Sequence, residues 1–297
     1  MARTKAKSGS DVMIWQGWRL ELPPRWHPLR IEGDYDTGNV LLGDLHGPRL
    51  GMRWKKASGR RFSAADWSRS AIRAEVGSGE ADKARPHSPT EQFEGGLLYL
   101  DPDPPGRDVW TAYSPASKRV IEVVYRSRRK EHPLAAIILP VLADHDPAEP
   151  VPWSIFGLSA IVPAGYRLQK HQLNAGDLNL WFTAKKQELV IRQVALASQA
   201  MSRMPMIKWL NQTEWPRRKY FRRYAQPAEH SMEVDGRSLR GLSSALRRRR
   251  RFSWLWTVPH GYQTLALHDE ARDRLVFVQA TDPDLPESIV KTIGWAG

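Results

Sequence analysis

Apolar and polar residues alternate over short runs along most of the chain, the period expected of half-buried β-strands. NVLLGDL, RLGMRWK, VWTAY and RVIEVVY in the first half read as strands, as do DLNLWFT, ELVIRQVAL, FSWLWTV, YQTLAL and RLVFVQA in the second. In each half the pattern shifts once to a helical period. Ser63 and Asp66 form an S-x-x-D cap ahead of Trp67, Ala71 and Ala74. The second such helix starts near Pro205, runs through Ile207, Leu210 and Thr213 to Trp215, and stops at Pro216. Segments 133–143 and 286–295 each suggest a short closing helix, with Ile289, Val290 and Ile293 on one side of the latter. Runs of strands with helices at either end predict an α+β fold, an antiparallel sheet with helices packed on it.

The two halves repeat one another. RLELPPRW at 19–26 and SAIVPAGY at 159–166 each bring an apolar strand to Pro23 or Pro163 and then to Trp26 or Tyr166. Farther on, SPASKRVIEV from Ser114 aligns with DEARDRLVFV from Asp269, matching Ala116 to Ala271, Arg119 to Arg274 and Val123 to Val278. A duplicated module follows. DHDPAEPVP, with three prolines and three acids, reads as the linker between copies. The expected organisation is a basic tail at 1–12, a first domain at 13–143, a linker at 144–152 and a second domain at 153–297. DPDPPGRD from Asp101 and GSGEADKARPHSP from Gly77 read as loops within the first domain.

An opening strand ending in P-x-G-aromatic, a hairpin, a helix, further strands with a late hairpin and a closing helix resemble the PsbP-like fold. That fold is shared by the photosystem extrinsic protein and the Ran-release factor. The second copy carries the resemblance through Pro163, Gly165, Tyr166, Gly236 and the stretch Tyr262 to Val278; the first has Arg25 where the family has Gly. The resemblance implies two tandem PsbP-like domains and a non-catalytic role in binding other proteins and supporting assemblies.

Composition agrees with a globular protein: 41% of residues are hydrophobic, with 13 Trp, 8 Tyr and 7 Phe. Cys is absent, which removes disulfides, thiolate nucleophiles and Cys-ligated zinc. Neither a signal-peptide core nor an apolar run long enough to span a bilayer occurs, so a cytoplasmic protein without integral membrane association is expected.

The net charge of +13 is uneven. Residues 1–150 hold 23 cations and 20 acids, residues 151–297 hold 22 and 12, and the stretch 217–251 alone holds 12 and 3. This stretch contributes the candidate binding residues Arg217, Arg218, Lys219, Arg222, Arg223, Arg237, Arg240, Arg247, Arg248, Arg249, Arg250 and Arg251. Tyr220, Phe221, Tyr224, Phe252 and Trp254 are interleaved with them. Guanidinium groups bind phosphate oxygens and carboxylates in bidentate fashion, and aromatic faces stack on bases. An acidic protein surface and a sequence-independent nucleic-acid site are both candidate partners, and a solvated hairpin tip is the account without any partner. Phe252, Trp254, Trp256 and Val258 alternate as the core face of a strand, which leaves the arginines as the binding groups. No helix-turn-helix, zinc-finger or RRM signature accompanies them.

Other candidates have structural explanations. Asp34, Asp36 and Gly38 mimic the start of a calcium loop, but Gly38 and Leu45 stand where it needs an acid and a bidentate Glu, so a tight turn is expected. His145 and His268 each sit beside acids in predicted turns, without metal-ligand spacing. There is no G-x-S-x-G elbow, P-loop or G-x-G-x-x-G, and the Asp101/Asp103 pair belongs to a turn composition. The expected protein is no enzyme and uses no cofactor or metal.

Overall fold

The computed structural model describes residues 11–59, 62–103, 106–127, 134–213, 221–223, 226–249 and 259–295. The fold is α+β with mostly antiparallel sheets, and the chain divides into two compact units between Phe156 and Gly157.

In the first unit, β1 (Val12–Trp15) and β2 (Trp18–Glu21) form a hairpin whose turn places Gln16 and Gly17 at φ 52° and 87°. This pair of left-handed residues matches the twist of the two strands. After it come β3 (His27–Gly33), β4 (Thr37–Asp44), β5 (Gly47–Lys56), α1 (Ala64–Val76), α2 (Ser78–Ala81), β6 (Arg85–Pro86), β7 (Glu94–Tyr99), β8 (Gly106–Ser114) and β9 (Arg119–Ser127). The main sheet has the order β3-β4-β5-β9-β8-β7-β6. One wide π-helical turn at Leu134–Ile138 and a 3-10 turn at Leu139–Val141 stand where a closing helix was expected. β10 (Ala143–Asp144) then pairs with β2, and β11 (Val151–Ile155) pairs with β1.

The second unit repeats this order. β12 (Leu158–Val162), β13 (Arg167–Asn174), β14 (Asp177–Ala184) and β15 (Gln187–Ala195) lead to α3 (Ala197–Arg203) and α4 (Met206–Thr213). β16 (Phe221–Arg223), β17 (Ala228–Val234), β18 (Arg237–Arg248), β19 (Gly261–Asp269) and β20 (Arg274–Ala280) follow. The unit ends with α5 (Leu285–Lys291) and β21 (Gly294–Trp295), which pairs with β12. Its main sheet runs β13-β14-β15-β20-β19-β18-β16, with β17 also on β18. The strand FSWLWTV expected at 252–258 lies outside the described residues.

The turn that begins each repeat has kept its geometry despite a change of residue. The Trp26 amide donates to the Pro23 carbonyl at 3.0 Å and the Tyr166 amide to that of Pro163 at 3.4 Å. Arg25 takes φ 70° where Gly165 takes 81°, so the first copy holds a bulky residue in a region that favours glycine. The β8–β9 and β19–β20 turns correspond likewise, through Lys118 at φ 56° and Asp273 at φ 51°.

One face of the first unit's main sheet packs against the β1–β2 hairpin, where Trp18 lies 6.5 Å from Trp54 of β5. Trp18 stacks on Phe93 at 6.5 Å, and Phe93 meets Trp110 edge-on at 5.1 Å. On the other face α1 packs on β7 and β8, and Ile72 joins Tyr99 and Val109 in a separate cluster. The expected Ser63 cap is present, its Oγ accepting from the Asp66 amide at 3.3 Å. The buried stripe differs from expectation: Ser68 and Ile72 face inward, whereas Trp67 and Ala71 are half-exposed.

Segment 144–152, read from its prolines and acids as a linker, begins inside the first unit. Arg119 and Asp144 are fully buried and bonded at 2.5 Å. The Arg119 guanidinium lies between the rings of Trp18 and Tyr35, 4.4 and 4.0 Å from their centroids, and donates to the carbonyls of Gln16 and Tyr35 at 2.7 and 2.9 Å. Ser117 Oγ donates to the second Asp144 oxygen. A charge removed from water needs such compensation, and here cation–π faces, carbonyls and a carboxylate all supply it.

Candidate functional site

The second unit's sheet edge gathers part of the predicted basic segment. β16 pairs antiparallel with the end of β18, setting Arg222 opposite Arg247 and Phe221 opposite Arg248. Basic positions from two separate stretches of sequence are thus in register on neighbouring strands. Arg240 and Arg247 are exposed on β18. Arg248 Nη2 lies 3.1 Å from His260 Nδ1, and Arg249 Nε donates to the Phe221 carbonyl at 2.9 Å. Arg223 lies on β16, and Arg217, Arg218, Lys219, Arg250 and Arg251 fall outside the described residues.

Arg237 differs from the rest of the predicted set. Its guanidinium donates to the buried Asp269 carboxylate at 2.8 Å and reaches the Ile293 carbonyl at 3.5 Å. Its side chain is only 16% exposed. The residue holds β18 to the turn after β19 and takes no part in the exposed edge.

Phe221 is buried against Tyr262, ring centroids 4.9 Å apart in an edge-on arrangement. The Tyr262 hydroxyl donates to Glu188 at 2.6 Å. Tyr220, Tyr224, Phe252 and Trp254 lie outside the described residues.

The first unit has a concavity of about 780 Å³ that the charge pattern did not reveal. Its floor is the α1 side of β4, β5 and β9, and its wall is α1 itself, through Trp67, Ser70 and Ala71. β5 and β9 set Arg53 opposite Glu122 and Lys55 opposite Val120. Arg53 bonds Glu122 and, at 2.5 Å, Glu75 of α1; Lys55 Nζ lies 6.0 Å from the Trp67 ring centroid. Burial pushes the Glu122 carboxyl above its ordinary value, opposed by Arg53. Burial also disfavours the Arg53 cation, but its bonds to Glu122 and Glu75 outweigh this and raise its pKa. In sequence, the only trace of the site is that RLGMRWKK and RVIEVVY put charged residues on one face of interior strands.

The remaining candidates have structural work. Asp34 Oδ1 accepts the amides of Asp36 and Thr37, each at 2.9 Å, closing a tight turn. Asp101 accepts the amides of Asp103 and Arg107, and Asp108 that of Asp101, which orders the loop before β8. The His145 amide donates to the Gly17 carbonyl at 2.8 Å. Among the described residues no group of three or more His, Cys, Asp or Glu side chains converges to hold a metal, and no helix is long and apolar enough to cross a membrane.

No family model matches the chain, and no curated protein matches it. Among solved structures, it is similar to the apo structure of immunity protein TplEi of the T6SS from Pseudomonas aeruginosa. The identity is 12% and the TM-score 0.30, over 98% of this chain and 99% of that one.

Proposed function

We propose that this is a non-catalytic, cytoplasmic binding protein built from two PsbP-like units, which docks on an acidic protein partner through the basic edge of its second unit. The observation that carries this reading is the β16–β18 ladder, which sets Arg222 opposite Arg247. The register brings two basic stretches of sequence to one sheet edge, and a surface of carboxylates is complementary to such a concentration of positive charge. The repeated order of elements supports the PsbP-like reading of each unit.

A nucleic-acid partner is the second reading. Sequence-independent single-strand binding depends on aromatic platforms open to stacked bases. Phe221, the described aromatic of the segment, is instead buried against Tyr262, which favours the acidic protein.

The test is a fluorescence-anisotropy titration against labelled poly-glutamate peptide and labelled single- and double-stranded DNA, across a salt series. A variant with Arg240, Arg247 and Arg249 changed to Ser is compared with one in which Lys185 and Lys186 are changed to Ser. Poly-glutamate binding lost only in the arginine variant supports the proposal. DNA binding that is tighter, with a salt slope of about 0.7 to 0.9 per phosphate contact, replaces it with the nucleic-acid reading. Equal losses in both variants refute a localised edge.

A further inference from the structure

The duplication shows what the first unit's concavity is shaped to hold. Ladder registers align the two floors. Arg53 faces Glu122 across β5 and β9, while Arg192 faces Phe277 across β15 and β20. By the same registers Leu41, Gly51, Lys55, Val120 and Glu122 occupy the places of Trp181, Val190, Val194, Leu275 and Phe277.

In the second unit that floor is covered by the chain's own helix. Trp209 of α4 meets Phe277 edge-on at 5.6 Å and lies 5.2 Å over the Arg192 guanidinium. Leu210 is fully buried beside it, and Trp181, Val190 and Leu275 belong to the same cluster. In the first unit the helix that follows β5, α1, packs over β7 and β8, and among the described residues no helix lies across the floor on β4, β5 and β9 as α4 does in the second unit. Smaller or charged residues replace the apolar ones there. A Cβ added to Gly51 would meet nothing within 4 Å, although Val190 is buried at the same rung of the other sheet.

The charge at the open site is also arranged for a ligand. The nearby carboxylates are engaged: Glu122 and Glu75 are 10% and 19% exposed and both bond Arg53, and Glu32 at the rim, 45% exposed, is held by Arg30 and Asn39. Its cations stand outward, with Arg53 at 57% exposure and Lys55 exposed beside it; Arg53 also lines an adjoining concavity of about 190 Å³ with Gly51, Glu75 and Arg107, the last 55% exposed. The solvent-facing charges around the floor are thus Arg53, Lys55 and Arg107, with Glu32 at one rim paired to Arg30.

We propose that this groove receives a short amphipathic helix from a protein partner, with an aromatic residue seated over Arg53 and Gly51 as Trp209 is over Arg192, and with acidic residues directed at Lys55 and Arg107. This is a helix-in-groove mode of recognition. It uses none of the arginines of the second unit and stands apart from the proposed basic edge.

The experiment uses the full-length protein and a fluorescein-labelled peptide of residues 204–215, the α4 segment, with Lys208 and Gln212 replaced by Glu. Saturable binding by the native protein is expected, weakened roughly tenfold or more in Gly51→Trp, which fills the floor, and weakened also in Lys55→Glu, an exposed change that leaves the core untouched. A peptide with the Trp209 position changed to Ala is expected to lose binding. No binding by the native protein, or equal binding by Gly51→Trp and Lys55→Glu, overturns the proposal. The variant lacking Arg240, Arg247 and Arg249 is expected to bind this peptide as the native protein does, so the two docking surfaces are tested separately.

Discussion

Arg53 and Arg192 occupy the same rung of two duplicated sheets, one opposite Glu122 and the other opposite Phe277. A single change of cross-strand neighbour goes with two different treatments of the same face. Phe277 forms an apolar floor that Trp209 covers, whereas Glu122 lies low in a groove and bonds the outward-standing Arg53. The fold has been conserved between the copies, and the use of one face has not.

Asp144→Ala leaves the Arg119 cation buried without its carboxylate. The expected loss is about 3–5 kcal/mol of first-unit stability, read from urea denaturation. Replacing both members, as Arg119→Met with Asp144→Leu, removes the charge together with its partner and is expected to recover most of that loss. Equal destabilisation by the single and double changes would show that packing alone, and not the ion pair, sets the stability here.

At the turn opening each repeat, Arg25→Gly is expected to stabilise the protein by up to about 1 kcal/mol, because glycine adopts φ 70° without the clash that a Cβ brings. Gly165→Ala is expected to destabilise it by about 1 kcal/mol for the reverse reason. Thermal unfolding midpoints of the two variants should therefore move in opposite directions.

Two arginines of the basic segment are expected to separate by function. Arg237→Ala removes the nearer partner of the buried Asp269 carboxylate, leaving Arg272 at 3.7 Å, and should cost about 1–3 kcal/mol, whereas Arg240→Ala on the exposed face should change stability by no more than about 0.5 kcal/mol. In the anisotropy assay Arg240→Ala should weaken poly-glutamate binding. Paired denaturation and binding curves check both halves.

Burial raises the folded-state pKa of Glu122 above its unfolded value near 4.5. The folded protein therefore binds the proton more tightly than the unfolded chain does, and this group's contribution is fully present below the unfolded pKa and lost as pH rises through the folded one. Native protein is expected to lose stability relative to Glu122→Gln as pH climbs from about 4.5 through the raised value. Urea midpoints of both proteins measured across that range test the sign; parallel curves would contradict it.

Local pattern made much of the fold readable. NVLLGDL and RLGMRWK alternate as strands because each has one face on a core, RLVFVQA is a continuous apolar run because both its faces are buried, and Ser63 caps α1 through a contact three residues away. What escaped the sequence depends on distant partners. Asp144 looked like a linker residue because its neighbours are proline and acid, yet its burial is decided by Arg119 in another strand. The helical spacing points to Trp67 and Ala71 as the inward side of α1, but the helix packs on β7 and β8 through Ile72, and that leaves Trp67 to wall the groove. The arginines of 217–251 were visible as charge, whereas the meeting of Arg222 with Arg247, and the removal of Arg237 from the set, follow from strand register and a buried acid. The groove was least legible, since Gly51, Arg53 and Glu122 converge only when β5 lies beside β9.

The buried Arg119 also sets an order of events during synthesis. Its guanidinium is held by Gln16 near the start of the first unit and by Asp144 near its end. Until Asp144 has left the ribosome, closing the core would bury a cation without its counter-charge, so the nascent first unit should remain incompletely folded until almost all of its chain has emerged.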